Sequence, residues 1–321
     1  MSIRDDLLQL LSGGEEVSGA SLAGKLGVSR NAVWKAVSSL RTEGYEIEAV
    51  TNRGYRLVSM PDLLSEPDIC AHLTTRAFGR NIEIHDSLDS TNLRAKALAA
   101  AGAPEGQLVI ADTQSRGRGR MGRTFFSPPH SGIYMSLILR PVCSPSRAAM
   151  ITSMTAVATA RAVEKVSDVH VNIKWVNDLY IGNRKICGIL SEAGMNMEAG
   201  QLDYVVVGIG VNVCPAEFPP ELRDIATSIG NETGTPPERN ILIAEIINQM
   251  ELLYDQLETG AFLAESRSRS NVIGRRVLVI ESGKQYPAYA EDIDDQGHLV
   301  IRTDDGLVSH LGFGEVSLKL N

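Results

Sequence analysis

The spacing of apolar residues divides the chain into three segments with different periodicities. In residues 1–60, apolar positions recur at helical spacing and then give way to two short alternating runs. Between residues 66 and 270, apolar runs of strand length are interleaved with longer helical patterns. From residue 271 onward, four short strand-like runs, at 276–281, 285–292, 299–303 and 307–311, are separated by turns rich in Gly and Asp, the first of them at 282–283. The pattern therefore predicts an α+β chain of three domains, over residues 1–60, 66–270 and 271–321, with a linker between the first two at 60–62 and 65–67.

The first segment reads as three helices and a hairpin. Gly13-Gly14 ends the first helix, and Ser18 and Ser29 can cap the second and third helices. The third runs from Arg30 to about residue 43 and places four apolar residues on one face: Val33, Ala36, Val37 and Leu40. Two strands, Tyr45 to Val50 and Gly54 to Val58, follow around the turn at 51–54. This order is typical of a winged helix-turn-helix, with the helix-turn-helix over residues 19–38.

The polar face of the third helix, with the wing, provides candidate DNA contacts. Arg30 and Lys35 suit phosphates, whereas Asn31 and Ser38 suit base edges. The full candidate set is Arg30, Asn31, Trp34, Lys35, Ser38 and Arg53. Basic and acidic residues balance in this segment, so a protein-binding three-helix module is the alternative interpretation.

Strand and helix patterns alternate in the central segment. The predicted strands are 81–85, 107–112, 133–139, 169–175, 178–181, 184–190 and 205–213, and the predicted helices are 93–101, 146–166 and 241–257. Ser90, Thr91 and Asn92 lie where the first strand leads into the first helix. Short polar side chains at such a place either cap the helix or meet a ligand.

A Gly182-Asn183 turn predicts a hairpin between 178–181 and 184–190. If that turn sets the register, Tyr180 lies opposite Lys185 and Asp178 lies opposite Cys187. Asp178 and Lys185 are then diagonal neighbours on one face of the sheet. A surface ion pair would explain them, but the apolar strands around them favour a pocket.

Residues 117–123 read Gly-Arg-Gly-Arg-Met-Gly-Arg. Glycine permits many backbone conformations, and arginine keeps its charge and binds carboxylate or phosphate with two donors. The whole chain of 321 residues has a formal net charge of −8, so this local basic cluster predicts an anion-binding loop. A flexible basic connector is the alternative interpretation, and the two are compatible if the loop orders over a ligand.

Composition narrows the class of protein further. The chain has no apolar run long enough for a transmembrane helix and no apolar core of a signal peptide at its start. Its four cysteines and six histidines are scattered and complete no metal-binding pattern. We therefore expect a cytoplasmic protein without membrane association or structural zinc.

Five motifs occur in a fixed order: Ser90-Thr91-Asn92, Gly117 to Arg123, Lys174-Trp175-Val176-Asn177-Asp178, Arg184 to Leu190, and Gly208-Ile209-Gly210-Val211-Asn212. Together they resemble biotin protein ligases. With the N-terminal helix-turn-helix, the whole chain is similar to the bifunctional form, a biotin–[acetyl-CoA-carboxylase] ligase that is also a biotin operon repressor. The chain departs from the family pattern at Val176, where proline is frequent, and at Phe125, where tryptophan is frequent.

The resemblance implies a central mixed-sheet α/β domain of the biotin/lipoate ligase type and a C-terminal SH3-like barrel. It also implies a two-step reaction. Biotin and MgATP give biotinyl-5′-AMP and pyrophosphate, and a lysine of the biotin carboxyl carrier protein then accepts the biotinyl group. Biotinyl-5′-AMP would also act as corepressor, favouring a homodimer on operator DNA. The alternatives are a lipoate ligase and a repressor that senses biotin without catalysis.

The resemblance assigns roles to individual residues. Lys185 and Arg118 would be catalytic; the biotin-binding set would be Ser90, Thr91, Asn92, Gln114, Arg118, Gly119, Arg120 and Lys185; and the ATP-binding set would be Arg123, Asp178 and Asn212. It leaves the Mg²⁺ ligands unassigned. The segment from Cys214 to Ser228 corresponds to a variable loop that covers the adenylate.

Overall fold

The structure is a computed structural model that describes residues 3–42, 45–50, 53–59, 62–196, 201–215, 217–281, 284–312 and 314–318. It divides into two compact units, Met1–Leu63 and Leu64–Asn321. Parts of some sequence-based expectations lie outside the described residues: the third helix at 43, the hairpin turn at 51–52, the linker at 60–61, the adenylate-covering segment at 216 and the turn at 282–283.

The first unit contains the three expected helices and the hairpin. They are α1 (Ile3–Leu11), α2 (Gly19–Leu26), α3 (Arg30–Thr42), β1 (Glu46–Val50) and β2 (Gly54–Ser59). Ser18 Oγ accepts a hydrogen bond from Ser21 N at 3.1 Å, and Ser29 Oγ accepts one from Ala32 N at 3.2 Å. Gly27 ends α2 in the left-handed conformation. The prediction of a winged helix-turn-helix is therefore confirmed.

The apolar face of α3 forms the core of this unit, since Val33, Val37 and Leu40 are fully buried. The residues before α2 add a contact that the sequence did not reveal. Val17 and Tyr55 exchange two backbone hydrogen bonds of 2.9 Å, which tie the chain before α2 to the wing. At neighbouring Gly54, with φ of 119°, a Cβ would lie 2.1 Å from Val17 O. Only glycine fits this close approach.

A seven-stranded mixed sheet is the centre of the second unit. Its strands are β3 (Asn81–Leu88), β4 (Gln107–Gln114), β5 (Gly132–Leu139), β6 (Asn172–Lys174), β7 (Asp178–Ile181), β8 (Arg184–Asn196) and β9 (Gln201–Asn212). Its helices are α4 (Glu66–His72), α5 (Thr91–Ala100), α6 (Pro145–Ala149), α7 (Ile151–Val166), α8 (Ile229–Thr233), α9 (Arg239–Tyr254) and α10 (Leu263–Ser268).

The strand order is β3-β4-β5-β9-β8-β7-β6, in which β3 and β4 are parallel and the other pairs are antiparallel. Alternation of side chains along β4 supplies two cores. Leu108 and Ile110 join the large core that contains α7 and α9, whereas Val109 joins a small core with Ala95 and Ala99 of α5. Helix α5 thus covers one face of the sheet, and its first residues point toward the site described below.

Three element predictions were wrong in detail. The helix expected over 146–166 is two helices that meet at Met150. The strand expected over 169–175 is reduced to Asn172–Lys174, because the backbone of Val171 bonds to the side chains of Glu164 and Arg269 instead of to a neighbouring strand. Ser65-Glu66-Pro67, expected in a linker, starts α4. Ser65 Oγ caps that helix, and proline fits its first turn, where an N–H has no helical partner.

The C-terminal segment forms a five-stranded antiparallel sheet. Its strands are β10 (Arg275–Glu281), β11 (Lys284–Ile293), β12 (Leu299–Thr303), β13 (Val308–Leu311) and β14 (Glu315–Leu318), in the order β13-β12-β11-β10-β14. The sequence reading missed β14. Among the described residues no strand pair joins β13 to β14, so the sheet is open there and the expected closed barrel is not observed. Trp175 joins this core and donates from Nε1 to Gly297 O at 3.0 Å.

Candidate active site

Two adjoining cavities open beside the N-terminus of α5 and the ends of β4, β8 and β9. The first is narrow, about 50 Å³, and the second is about 310 Å³. Five residues line both cavities: Gly119, Arg120, Phe125, Asn177 and Lys185. The cavities therefore adjoin, and Lys185 is part of the boundary that they share.

Polar side chains at the start of α5 form one wall of the narrow cavity. Ser90, Thr91 and Asn92 are all buried, and Ser90 takes the N-cap position without a side-chain cap bond. Thr91 instead donates from its backbone N to Gln114 Oε1 at 2.9 Å, and Gln114 Nε2 donates to Ser127 Oγ at 3.1 Å. The strand end of β4 is thus joined to the helix start across the cavity wall.

Asn92 is held by residues of two strands, β5 and β8. Its Oδ1 accepts from Ser136 Oγ at 2.6 Å, and its Nδ2 donates to Leu190 O at 3.2 Å and to Glu192 Oε2 at 3.0 Å. A Cβ at Gly208 would lie 2.0 Å from Asn92 Oδ1. The glycine is therefore required by the close approach of the amide to β9.

The Gly-Arg loop folds back on itself beside the cavities. Gly119 N donates to Arg123 O at 2.7 Å, and Phe125 N donates to Gly117 O at 3.0 Å. The short 3₁₀ turn Arg120–Gly122 lies between these bonds. The loop is therefore a defined turn with its own backbone bonds.

Its three cavity-lining arginines have different partners. Arg120 donates to Asn177 Oδ1 at 2.9 Å and to Gly314 O at 2.7 Å, and burial lowers its pKa. Arg123 pairs with Glu315 at 2.8 Å, while Arg118 lies 3.4 Å from Glu192. Arg118 lines only the narrow cavity, Arg123 lines only the wide one, and Arg120 lines both.

Lys185 and Asp178 meet as expected, but the predicted register was wrong. Lys185 Nζ donates to Asp178 Oδ1 at 2.7 Å. Tyr180 does lie opposite Lys185, yet Asp178 lies opposite Gly188 rather than Cys187. A bulge that leaves Ile186 without a partner shifts the pairing by one residue.

The backbone of Lys185 is also held by the 214–228 segment, which was expected to vary within the family. Lys185 N donates to Ile225 O, and Thr227 N donates to Lys185 O, both at 2.9 Å. This pair of bonds is a parallel bridge between Lys185 and Ala226. The described part of 214–228 thus positions the lysine at the junction of the two cavities.

Aromatic and cationic side chains line the wide cavity. Phe126 and Phe218 have ring centroids 6.0 Å apart, and Phe125 forms the boundary with the narrow cavity. Lys174 Nζ lies 5.9 Å from the centroid of the Tyr180 ring. Burial lowers the pKa of the Lys174 ammonium group. Such a lining suits a ligand with a flat ring and negative charges.

The arrangement can bring two anions together. One end of a ligand in the narrow cavity would lie against Lys185. A polyanion in the wide cavity would contact Arg123, Lys174 and Lys185. Cations offset the repulsion between the two negative groups. No group of three or more His, Cys, Asp or Glu side chains placed to hold a metal occurs in the described part of the chain.

Comparison with known proteins identifies the family. Three family models match in order: an HTH domain at residues 3–56, the Biotin/lipoate A/B protein ligase family at 85–212, and the Biotin protein ligase C terminal domain at 272–319. The bifunctional ligase/repressor BirA of Bacillus subtilis is 40% identical over 315 residues, which cover 95% of this chain and 96% of that protein. The chain belongs to the bifunctional biotin ligase/repressor family.

Other relatives agree with this assignment. The BirA protein of Escherichia coli is 31% identical over 98% of this chain and 96% of its own length. A structure of the Aquifex aeolicus biotin protein ligase in complex with biotin and ATP matches with a TM-score of 0.64 at 24% identity, covering 75% of this chain and 99% of that chain. The latter likeness concerns the fold alone.

In this ligase/repressor family member, all predicted ligand-binding residues line the two cavities. Ser90, Thr91, Asn92, Gln114 and Arg118 line the narrow one; Arg123, Asp178 and Asn212 line the wide one; and Gly119, Arg120 and Lys185 line both. Asn212 Nδ2 donates to Thr227 O at 3.0 Å, so its amide also holds the 214–228 segment.

The candidate DNA-contacting residues are accessible on the first unit. Arg30, Asn31, Trp34 and Lys35 are exposed on α3, and Ser38 is half-buried. Trp34 is 55% exposed, which is unusual for an indole without a partner surface. Arg53 in the wing pairs with Glu16 at 3.3 Å.

Sequence reasoning assigned no role to several residues that shape the site. Asn177 and Lys174 lie in a motif that carried the family resemblance, so a signal was present. Glu192 and Glu315 gave no signal, because each contacts a loop arginine that is distant along the chain.

The described part of the structure contains no helix long and apolar enough to cross a membrane, and all four cysteines are free.

Proposed function

We propose that this chain activates biotin with MgATP to biotinyl-5′-AMP and then biotinylates a lysine of the biotin carboxyl carrier protein of acetyl-CoA carboxylase. The observation that carries the proposal is the position of Lys185 between two adjoining cavities of different character. The narrow cavity is polar at one wall, and the wide one is aromatic and cationic. Family membership supports the same pairing of substrates.

In this proposal the ureido ring of biotin lies in the narrow cavity. A ureido group has two N–H donors and one carbonyl acceptor, so it needs protein groups of both kinds. Ser90, Thr91 and Gln114 supply hydroxyl, amide and backbone groups there, beside the buried amide of Asn92. The valeryl chain then leads toward Lys185, where the backbone of Arg118-Gly119-Arg120 closes over the carboxylate.

In the first step, a biotin carboxylate oxygen forms a bond to the α-phosphorus of ATP. The bond from that phosphorus to the bridging oxygen breaks, and pyrophosphate leaves. Lys185 lies between carboxylate and α-phosphate and offsets their repulsion, while Asp178 holds its ammonium group in place at 2.7 Å. Catalysis by positioning and charge neutralisation needs no protein nucleophile.

In the second step, the amine of the carrier lysine attacks the biotinyl carbonyl carbon. The carbon–oxygen bond to AMP breaks, AMP leaves with the electron pair, and the nitrogen loses a proton as the amide forms. The Gly-Arg loop acts as a lid that shields the reactive mixed anhydride from water until the carrier arrives.

The wide cavity would receive ATP. Adenine stacks among Phe125, Phe126 and Phe218, which compensate for the missing tryptophan at 125, and Asn212 lies beside them. Arg123 serves the phosphates. Mg²⁺ arrives bound to ATP phosphates and waters, as this ion usually does; Asp178 and Glu315 are carboxylates in the cavity suited to meet its water shell.

The direct test is incubation with ATP, biotin and a carrier domain, followed by mass measurement of the carrier. We expect a mass increase equal to one biotinyl group. Lipoate is offered in a parallel reaction, because the family model also includes lipoate ligases. Lipoylation alone would replace the biotin assignment, and no modification together with biotin-dependent DNA binding would make the chain a non-catalytic repressor.

We further propose that the first unit binds operator DNA near biotin biosynthesis genes, as a homodimer in the cytoplasm, with biotinyl-5′-AMP as corepressor. The exposed α3 face and the wing suit the major groove and the phosphate backbone. A gel-shift titration with biotinyl-5′-AMP tests the switch. Unchanged operator affinity across the titration would reject it.

Removal of residues 1–63 is expected to abolish operator binding, because all six candidate contacts are lost with that unit. Pyrophosphate release in the presence of biotin should continue, since both cavities lie in the other unit. In the full chain, Arg30→Ala with Lys35→Ala should weaken operator binding and reduce its salt dependence by about four counterions per dimer, two from each protomer. Full operator affinity in either variant would contradict the assignment.

The C-terminal sheet is inferred to be SH3-like and to extend from residue 271 to 321, after a catalytic domain over 66–270 and a DNA-binding domain over 1–60. Five short antiparallel strands around one apolar core support this inference. Through Gly314 and Glu315 this domain contacts Arg120 and Arg123, so it would help to seat ATP.

A further inference from the structure

Glu192 connects the wall of the narrow cavity to the Gly-Arg loop without lining the cavity itself. It lies on β8 and accepts from three donors. These are Asn92 Nδ2 at 3.0 Å, Lys96 Nζ at 3.1 Å and Arg118 Nη1 at 3.4 Å. Two of these donors come from α5 and the third comes from the loop, so one carboxylate ties together the two sides of the proposed biotin site.

An ionised carboxylate can only accept hydrogen bonds. Asn92 therefore has to turn its NH₂ group toward Glu192, and the neighbouring Leu190 carbonyl, also an acceptor, requires the same orientation. The amide oxygen of Asn92 then faces Ser136, whose hydroxyl must donate to it at 2.6 Å. The polarity of this buried amide is consequently fixed by Glu192 and Leu190.

The fixed polarity extends to the cavity wall. Because the single hydroxyl proton of Ser136 goes to Asn92, Ser136 Oγ can only accept from Thr91 Oγ1, which lies 2.8 Å away. Thr91 can then direct its proton to Ser136 or to Gln114 Oε1, at 3.2 Å. Gln114 already accepts from the Thr91 backbone, which turns its NH₂ group toward Ser127 and the cavity. Glu192 and Leu190 thus fix the donors and acceptors as far as Ser136, while the Thr91 backbone N–H orients Gln114.

The charge of Glu192 is maintained by its surroundings. Burial by itself would raise the pKa of this carboxyl, but the hydrogen bonds from Asn92 and Lys96 and the nearby Arg118 outweigh it and lower the pKa. The group is therefore an anion at neutral pH, and its acceptor-only character is constant there.

We propose that Glu192 is a positioning residue for biotin: it bonds to Asn92 on the helix side and to Arg118 on the loop side, and so holds the two sides of the proposed biotin site in place. This inference rests on the proposed ligase function and deepens it. A neutral amide at 192 would lose the charge-assisted contacts with Lys96 and Arg118 and would leave Leu190 as the acceptor that holds the orientation of Asn92.

The test compares Glu192→Gln with a matched control, Glu83→Gln. Glu83 is also a half-buried strand carboxylate that pairs with a residue of α5, Arg94, at 2.9 Å, yet it lines neither cavity. Steady-state pyrophosphate release is measured while biotin and ATP are varied separately. We expect Glu192→Gln to raise the KM for biotin by about tenfold, because that is the usual effect of losing one hydrogen bond to a charged group. The KM for ATP should be nearly unchanged.

Glu83→Gln should leave both KM values unchanged, and Glu192→Asp, which keeps an acceptor-only carboxylate, should recover part of the biotin affinity. The inference would be overturned by any of three results. Glu192→Gln could raise the KM for biotin and for ATP equally, Glu83→Gln could show the same biotin defect, or Glu192→Asp could bind biotin no better than Glu192→Gln. Thermal melting of each variant, with and without biotin, reports folding independently of turnover. Absence of biotin-dependent pyrophosphate release in the unaltered protein would instead reject the proposed function.

Discussion

Replacing Lys185 with alanine is expected to abolish adenylate formation while leaving the fold intact. The lysine lies at the junction of the two cavities, where the biotin carboxylate and the α-phosphate would meet. Without the Lys185 ammonium group, the biotin carboxylate and the α-phosphate must approach each other with less of their negative charge neutralised, in a site partly shielded from water. Loss of one such preorganised group costs about 10²–10³-fold in rate.

The effect on stability should be small by comparison. Lys185 and Asp178 retain 29% and 20% of their side-chain exposure, so water can solvate Asp178 after its partner is removed. Partly exposed ion pairs contribute about 1 kcal/mol or less. We expect a melting temperature within a few degrees of the unaltered protein, about 2–4 °C per kcal/mol for a domain of this size.

A suitable control for this variant is Lys165→Ala. Lys165 forms an ion pair of similar length with Glu245, 2.8 Å, between α7 and α9, and lines neither of the two cavities. Biotin-dependent pyrophosphate release should be normal in Lys165→Ala and lost in Lys185→Ala. Normal release by Lys185→Ala would refute the role assigned to the lysine.

Gly208→Ala is expected to impair biotin binding severely through a steric effect. The new Cβ would lie 2.0 Å from Asn92 Oδ1, well inside van der Waals contact. Asn92 is short, buried and bonded on three sides, so it cannot move without breaking the contacts to Ser136 and Glu192. Overpacking of this kind costs about 1–3 kcal/mol of stability, and the displaced amide should raise the KM for biotin by at least about tenfold.

Two further variants separate the steric cause from its consequence. Asn92→Ala combined with Gly208→Ala removes the clash, so thermal stability should recover relative to Gly208→Ala while biotin binding stays weak. Gly24→Ala, at a helical glycine with nothing within 4 Å of the new Cβ, should leave ligase activity unchanged. Normal biotin affinity in Gly208→Ala, measured by titration calorimetry, would show that the Asn92 region does not bind biotin.

The N-terminal unit was predictable because its signals are local. Ser18, Ser29 and Gly27 define the helix ends through caps and a left-handed residue, and the periodicity of α3 separates its core face from its exposed face. The predicted helix-turn-helix and hairpin followed directly. The wing's attachment through Val17 and Tyr55 was not predictable, since it joins residues that share no local pattern.

In the second unit, local patterns located the motifs but missed details that depend on packing. The one-residue bulge at Ile186 changed the partner of Asp178, because a turn sets the register only up to the next irregularity. The strand at 169–175 was shortened because the Val171 backbone bonds to the side chains of Glu164 and Arg269. The second departure thus depends on residues outside the strand itself, and Arg269 is distant from it along the chain.

The sequence by itself determined the order of the domains, the family, and the residue types required at the site: the Gly-Arg loop, the Lys185 and Asp178 pair, and the polar start of α5. These follow from periodicity, caps and ordered motifs, which are properties of neighbouring residues. Only the tertiary structure decided that Lys185 joins two cavities and that Glu192 and Glu315 hold loop arginines. The physical reason is that an acidic residue on a strand becomes a positioning group only when folding brings distant donors within hydrogen-bond distance.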